Sequence, residues 1–248
     1  MPLHVGTSGW QYRDWRGVLY PDSLPQRAWL EHFASVFPTV EVNNAFYRLP
    51  ALAVFERWRD QTPPGFVMAV KVSRYLTHIR RLRDPAEPVD RLVERAAGLG
   101  DRLGPYLLQL PPNLRTDVSR LDACLRAFPS GARVAVEPRH DSWWTDEVRA
   151  VLEHRGAALC WADRRGHPIT PLWATADWGY VRLHEGTASP RPSYGRTALS
   201  TWLDRITSAW PGAGADTFVY FNNDPGGAAV RNARTLRRLA TNRGLAAA

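Results

Sequence analysis

Short apolar runs alternate with longer amphipathic segments along the whole chain. The short runs show the period of two that is typical of strands, and the longer segments repeat apolar residues at spacings of three and four, as helices do. The pattern predicts strands at His4–Ser8, Thr39–Asn43, Phe66–Val72, Tyr106–Leu110, Arg133–Glu137, Ala157–Ala162, Tyr180–His184 and Thr217–Phe221. It predicts helices at Leu24–Phe37, Leu52–Asp60, Val89–Leu99, Val118–Phe128, Asp146–His154, Ala198–Ala209 and Ala228–Ala240.

Eight strands that alternate with helices predict an α/β fold, a single (β/α)8 TIM-type barrel. We expect one domain over residues 1–248, because no linker or low-complexity segment divides the chain. A doubly wound open sheet is the competing fold. It usually carries a glycine-rich nucleotide loop, and the GTSG stretch at 6–9 does not have that spacing.

Polar residues gather where the predicted strands end. The carboxyl ends of the strands form the catalytic face of such barrels, and a spacing of two places both members of a pair on one side of a strand. We therefore expect these side chains to converge on one mouth. They are Ser8, the pairs Glu41/Asn43, Lys71/Ser73, Glu137/Arg139, Arg182/His184 and Asn222/Asp224, and the single residues Gln109 and Asp163.

Lys71 is the one lysine in a chain whose lysines and arginines total 32. The pattern places it inside a strand, where an ammonium can lose its proton and a guanidinium cannot. Three roles stay open for it. It could pair with Glu41 or Glu137, bind an anion, or act as a tuned amine, with a Schiff base as one form of that chemistry.

His184 and His78 are the histidines expected near the mouth. His184 titrates close to neutral pH and lies on the same strand face as Arg182, whereas His78 follows the third strand. A packing role for His184 is the alternative to a catalytic one. No HxH or HExxH spacing is present, so we predict no metal ligands and no cofactor, and a divalent metal is only a minor alternative.

Aromatic residues also follow the strand ends. The chain has 11 tryptophans, and such side chains line sites for sugars, bases and other flat ligands, or pack as lids. We expect four of them to line the mouth: Trp10, Tyr12, Tyr47 and Trp143.

The formal net charge of +8 raises the question of a polyanionic partner. Many arginines fall on predicted helix faces, so scattered solvated charge is the alternative. No apolar run is long enough for a membrane span, and no signal peptide is apparent, so we expect no membrane association. Cys124 and Cys160 show no metal spacing and are expected to be reduced, as in a cytoplasmic protein. Nothing in the sequence predicts an oligomeric state.

Several motifs resemble one known family. They are GTSGWQYRDW (6–15), LYP (19–21), TVEVNNAFYRLP (39–50), KVSRYLTH (71–78), LLQLPP (107–112), VEPRHDSW (136–143), YVRLH (180–184) and YFNND followed by GGAAVRNA (220–233). In this order they resemble the family called domain of unknown function 72, the YecE-like proteins. The resemblance implies a TIM-type barrel and no particular reaction. Asn44-Ala45, Pro138 and Glu185 depart from the usual pattern of that family.

Three functions are compatible with the predicted mouth. The first is an enzyme of hydrolase or lyase type that uses acid–base chemistry on a polar, sugar- or nucleotide-like molecule. In it, Glu137 and Glu41 serve as acid and base, Lys71 and Arg182 bind an anionic group, and His184 relays protons. Asn43, Asn222 and Gln109 would fix the substrate. The second is a barrel that binds or processes nucleic acid, and the third is a non-catalytic module for a small ligand.

Overall fold

The computed structural model describes residues 2–212 and 214–247, so Met1, Ala213 and Ala248 lie outside the described residues. Its strands are β1 Pro2–Ser8, β2 Thr39–Val42, β3 Val67–Lys71, β4 Leu103–Gln109, β5 Val134–Glu137, β6 Ala158–Leu159, β7 Trp161–Arg164, β8 His167–Pro168, β9 Gly179–Leu183, β10 Thr217–Phe221 and β11 Ala246–Ala247. The helices are α1 Trp29–Val36, α2 Asn44–Tyr47, α3 Leu52–Asp60, α4 Ala86–Ala96, α5 Val118–Arg126, α6 Asp146–His154, α7 Arg196–Ala209 and α8 Ala228–Asn242.

All the strands belong to one curled sheet. Its order is β6-β5-β4-β3-β2-β1-β10-β9-β7-β8, with β11 beside β1. The pairs are parallel except for β7 with β8. The sheet curls far enough for Arg182 on β9 to bond Glu41 on β2 and Glu137 on β5, which are not neighbouring strands. The predicted alternation of strands and helices is thus confirmed as a curled parallel α/β sheet, and closure into a (β/α)8 barrel stays a prediction.

Two apolar clusters lie on opposite faces of this sheet. The larger packs the strands against the helices, and Val70, Val136 and Val219 belong to it. The smaller lies on the concave face, where residues alternate with those of the first cluster because strand side chains point to opposite faces. It contains Ala69, Leu107, Ala135, Ala158, Cys160, Trp178, Tyr180, Phe218 and Tyr220. The small side chains come from β3, β5 and β6, and the large rings from β9, β10 and the residue before β9.

The predicted sixth strand is divided. Cys160 separates β6, which pairs with β5, from β7, which pairs with β9. The N–H groups of Leu159 and Ala162 donate instead to the hydroxyls of Thr175 and Thr170, at 2.8 and 2.9 Å. The strand therefore exchanges some of its ladder bonds for bonds to the segment that follows it.

One predicted helix starts late. Leu24–Phe37 was expected to be helical throughout, whereas a 3-10 turn at Gln26–Ala28 precedes α1 at Trp29. Pro25 before that turn has an extended backbone and no N–H to donate, so the regular helix begins beyond it.

Candidate functional site

A fully buried ion network lies at the carboxyl ends of β2, β5 and β9. Arg182 donates from Nη2 to Glu41 Oε1 at 2.8 Å and from Nη1 to Glu137 Oε2 at 2.6 Å. Both carboxylates are completely buried, and the guanidinium is 1% exposed. One cation therefore joins two anions contributed by separate strands, in an environment where each unpaired charge would cost several kcal/mol.

The carboxylate of Glu41 accepts three hydrogen bonds from the side chains around it. Besides Arg182, its carboxylate accepts from Ser8 Oγ at 2.8 Å and from the Tyr180 hydroxyl at 2.7 Å. The pairing of β1 with β2 places Ser8 beside Glu41 in the register. Tyr180 lies two residues before Arg182 and so shares its strand face. This carboxylate is held by the protein and is closed to solvent.

Glu137 connects the network to His184. Its Oε1 atom lies 2.9 Å from His184 Nε2, and Asn222 Nδ2 lies 3.0 Å from His184 Nδ1. An amide nitrogen only donates, so Nδ1 accepts and the ring proton sits on Nε2, which donates to Glu137. Arg139 Nη2 also donates to Glu137 Oε1, at 3.2 Å. The imidazole is thus fixed in one tautomer by two side chains.

The environment of Glu137 keeps it ionised. Burial alone would raise its pKa, but Arg182, His184 and Arg139 together hold the pKa well below its usual value. Burial lowers the pKa of His184, although Glu137 acts in the opposite direction. The acid–base pair of Glu137 and Glu41 stays a prediction. The hydrogen bond from Glu137 to His184 Nε2 holds the imidazole ring in place.

Lys71 does not form, with any described residue, the ion pair that was one of its predicted roles. Among the residues that the structure describes, it has no hydrogen bond and no ion pair, and its Nζ lies 4.1 Å from the centre of the Phe46 ring. The two glutamates are taken by Arg182. Burial, with the charge of Arg182 adding to it, lowers the pKa of Lys71 to about 8.

Gln109 at the end of β4 and Asn43 directly after β2 lie next to the network. Gln109 pairs with Glu137 in the register of β4 and β5, and its amide donates to Leu110 O at 2.7 Å. Asn43 directly follows β2, and its Oδ1 is buried with no partner within the described residues. Asn43 therefore has a free acceptor to offer a ligand.

A cleft of about 670 Å³ opens above His184. This volume falls in the range of small-molecule sites. Its wall combines the imidazole of the buried network with cationic, amide and indole groups. The lining includes Arg139, Trp144, Arg164, His184, Asn222 and Asn223, together with the acidic residues Asp141 and Glu185.

Three more of the predicted residues lie around this mouth. The Tyr12 hydroxyl donates to Ser8 O at 2.6 Å. Asp224 has a buried Oδ1 that lacks a partner among the described residues, and burial raises its pKa to about 7. His78 lies in a π-helical turn, where its Nδ1 is 2.8 Å from Thr77 Oγ1. Burial lowers the pKa of His78, and the cations Lys71, Arg74 and Arg139 lower it further.

The structure places three of the predicted aromatic residues, Trp10, Tyr47 and Trp143, outside the lining of the cleft. Trp10 is 2% exposed and packs edge-on against Trp58 of α3, because the chain turns away from the mouth at Gly9, whose φ is +88°. Trp143 is fully buried, and its indole N–H donates to Leu114 O at 2.7 Å, so it does not roof the cleft. Tyr47 projects into solvent and is 73% exposed.

Sequence reasoning missed Tyr180, Asn223 and Trp144. Tyr180 could have been found, because it precedes Arg182 by two residues and therefore points to the same side of β9. Trp144 lines the cleft in place of its neighbour Trp143. Asn223 adds a buried Oδ1 without a partner in the described part of the chain.

Within residues 2–212 and 214–247, no group of three or more His, Cys, Asp or Glu side chains is arranged to hold a metal ion. Within the same residues, no helix has the length and apolar character needed to cross a bilayer.

Comparison with known proteins identifies relatives of this chain. Residues 4–247 match the family described as "Protein of unknown function DUF72". The UPF0759 protein YunF of Bacillus subtilis is 24% identical over 96% of this chain and 94% of its own length. The UPF0759 protein YecE of Escherichia coli K12 is 29% identical over 62% of this chain, and the matched part spans 54% of YecE.

Solved structures show the same fold. A DUF72 family protein from Thermotoga maritima superimposes with a TM-score of 0.86 at 27% identity, covering 97% of this chain and all of that one. A DUF72 family protein from Enterococcus faecalis gives a TM-score of 0.81 at 18% identity, covering 96% of this chain and 95% of that one. With nearly its whole length matched, this chain belongs to the DUF72 family of uncharacterised proteins.

Proposed function

We propose that the protein is an enzyme that binds a polar, anionic small molecule in the cleft and acts on it by acid–base chemistry. One observation carries the proposal. A buried chain of hydrogen bonds runs from Glu41 through Arg182 and Glu137 to His184, and it ends at the wall of a cleft of about 670 Å³.

A purely structural role accounts poorly for that chain. Two buried carboxylates and a buried guanidinium must each lose their hydration, and apolar residues of similar volume often give equal or greater stability. Fixing one tautomer of an imidazole at a cleft is the use such an arrangement serves in acid–base catalysis.

His184 Nδ1 is the proposed proton acceptor. It holds no proton in the tautomer that the hydrogen bonds to Glu137 and Asn222 indicate, and Asn222 lines the same cleft. A ligand hydroxyl that displaced the Asn222 amide would donate to Nδ1. Glu137 would then stabilise the imidazolium that forms, because its carboxylate is already bonded to Nε2.

The anionic character of the ligand follows from the charges at the mouth. Arg139, His78 and Lys71 lie close enough for the pKa of His78 to be lowered by both of the other residues. Arg139 has Glu137 as a partner, whereas Lys71 and His78 form no ion pair among the described residues, and these basic groups favour a carboxylate or phosphate.

We also infer that the sheet closes into a single-domain (β/α)8 barrel. Only Cys160 separates β6 from β7, so residues 158–164 act as one strand that pairs with β5 on one side and β9 on the other. Closure supports the site assignment, because barrel enzymes place their chemistry at the carboxyl ends of the strands. A cytoplasmic location stays a prediction, supported by two free, buried cysteines.

A nucleic-acid partner is the second candidate. Exposed arginines and the net charge of +8 favour it, but several of those arginines form ion pairs along their own helices, as Arg91 does with Glu87 and Arg149 with Glu153. Such binding would weaken steeply between 50 and 200 mM salt. A gel-shift series in low salt that shows no binding would remove this candidate.

The enzyme proposal is tested by incubating the purified protein with a mixture of polar metabolites and following their consumption by mass spectrometry. We expect one anionic compound to be consumed. His184→Gln should reduce its turnover roughly 100-fold or more, which is the range for losing a general base. Arg126→Gln on the outer surface of α5 is the control, and its turnover should equal that of the wild type. Equal turnover by the His184 variant would contradict the assignment, and a compound retained without conversion would indicate a binding module.

A further inference from the structure

Lys71 is a partly buried amine that the ion network leaves out. It is the chain's one lysine and stands at the end of β3, between β2 and β4 in the sheet. No described side chain lies within hydrogen-bond or ion-pair distance of its Nζ, and the nearest recorded group is the Phe46 ring at 4.1 Å. An ammonium has three protons to donate, and none of the described protein groups accepts one, so the protein adds no hydrogen bond that would favour the charged form.

The surroundings favour the neutral amine. Arg182 and Arg139 place positive charge near Lys71, and the carboxylates of Glu41 and Glu137 are already bonded to Arg182. Burial and these charges lower the pKa of Lys71 to about 8. Lys71 is then neutral in roughly a tenth of the molecules at pH 7, whereas an ordinary lysine is neutral in less than about one molecule in a thousand.

We propose that Lys71 is a nucleophile that forms an imine with the carbonyl carbon of a 2-oxo acid, whose carboxylate is held by Arg139. The inference rests on the proposed function, since it uses the same anion preference and the same Arg139 of the cleft lining, while Lys71 stands at the end of β3 outside that lining. Arg139 suits the carboxylate because Nη2 is engaged with Glu137 while the rest of its guanidinium is partly exposed at the cleft. A planar fork of donors is the group that carboxylates prefer.

The chemistry is balanced without a cofactor. The neutral Nζ attacks the carbonyl carbon, and a C–N bond forms as the C=O double bond opens to a carbinolamine. The hydroxyl then leaves as water. Overall, the ammonium form of Lys71 and the carbonyl compound give one protonated imine and one water molecule, with two ammonium protons leaving on the former carbonyl oxygen.

The test traps the imine. The full chain is incubated with pyruvate or glyoxylate and sodium cyanoborohydride, and the labelled peptide is located by mass spectrometry. With one lysine present, the only competing amine is the terminal α-amine, whose pKa is ordinarily about 8 as well. Equal basicity means that preferential labelling of Lys71 reports binding at the site. We expect labelling of Lys71 that saturates with concentration and exceeds labelling by the neutral compounds acetone and acetaldehyde.

Variants separate the parts of the proposal. Lys71→Arg and Lys71→Met should lose the label, and agreement between them guards against a folding defect in one. Arg139→Gln should lower labelling roughly tenfold, as expected for one charge-assisted hydrogen bond, while Arg126→Gln should leave it unchanged. The labelling rate should rise with pH up to about 8 and then level off.

Labelling of Lys71 no faster than of the α-amine would overturn the proposal. Equal labelling by neutral carbonyl compounds, or an unaffected Arg139→Gln variant, would overturn the assignment of a 2-oxo acid. If Lys71 is unreactive while the His184→Gln variant still loses metabolite turnover, the imine fails and the proposed enzyme stands.

Discussion

Asp224 should make the protein less stable as the pH rises. Its carboxyl group follows β10, and Oδ1 is buried without a partner among the described residues. Burial raises its pKa from 3.8 to about 7, the Tyr12 hydroxyl acts in the opposite direction, and the nearby carboxylates of Asp14 and Glu41 add to the rise. A group whose pKa is raised on folding prefers the folded state when protonated, so its favourable contribution is complete below pH 3.8 and is lost as the pH rises through about 7.

The size of the effect follows from the difference between the two pKa values. About three pKa units correspond to about 4 kcal/mol at 1.36 kcal/mol per unit, and solvent access at this half-buried position makes that an upper bound. Asp224→Asn removes the titration while keeping the side-chain shape. We therefore expect the variant to match the wild type near pH 4 and to be more stable by about 2–4 kcal/mol near pH 8.

The assay is urea unfolding of both proteins at pH 4.5, 6 and 8, followed by tryptophan fluorescence. The difference in the free energy of unfolding should grow with each pH step. Asp60→Asn is the control at an exposed carboxyl group, and it should change stability by less than about 0.5 kcal/mol at each pH. A difference for Asp224→Asn that is constant with pH would refute the reasoning, because it would show that the carboxyl group does not titrate in the folded protein between these values.

Three further outcomes can be measured by the same unfolding assay. Arg182→Met should lower the free energy of unfolding by about 3–5 kcal/mol because it leaves two buried carboxylates unpaired. Arg139→Met removes a partly exposed partner and should lower it by less than about 1 kcal/mol. Similar losses for the two variants would contradict the network. Gly6→Ala should cost about 3 kcal/mol or more, since its Cβ would lie 2.0 Å from a backbone oxygen of β2, and Gly195→Ala, with no atom within 4 Å of the added Cβ, should cost about 1 kcal/mol at most. The wild type should lose stability relative to His184→Gln as the pH falls from 7 to 5, because the lowered pKa of this histidine lets the unfolded chain take up the proton first; a pH-independent difference would count against it.

The strand pattern made part of the site predictable. Glu137 and Arg139, like Arg182 and His184, share a strand face because side chains alternate, and the pairs do meet at the ends of β5 and β9. The partner of each charge was not predictable, since Arg182 reaches strands that are distant along the chain. Which carboxylates Arg182 reaches depends on the curvature of the sheet, and a local sequence pattern does not encode that curvature.

The aromatic side chains show another limit. Trp10, Trp143 and Trp144 all follow a strand end, yet only Trp144 lines the cleft. A turn of one or two residues decides whether an indole faces the mouth or the helices. That turn depends on backbone dihedral angles such as the positive φ of Gly9 and on an acceptor for the indole N–H, as Leu114 O provides for Trp143.

The uneven filling of the concave face constrains how this chain can vary. Small side chains at Ala69, Ala135 and Ala158 face the rings of Tyr180 and Phe218, so the volume there is supplied from one side of the sheet. A larger residue in place of one of these alanines would have no free space beside it and would require a smaller residue in place of one of the facing rings. Substitutions at these positions should therefore covary across the interior in opposite directions of size, and a homologue with leucine at 135 should carry a smaller residue at 180 or 218.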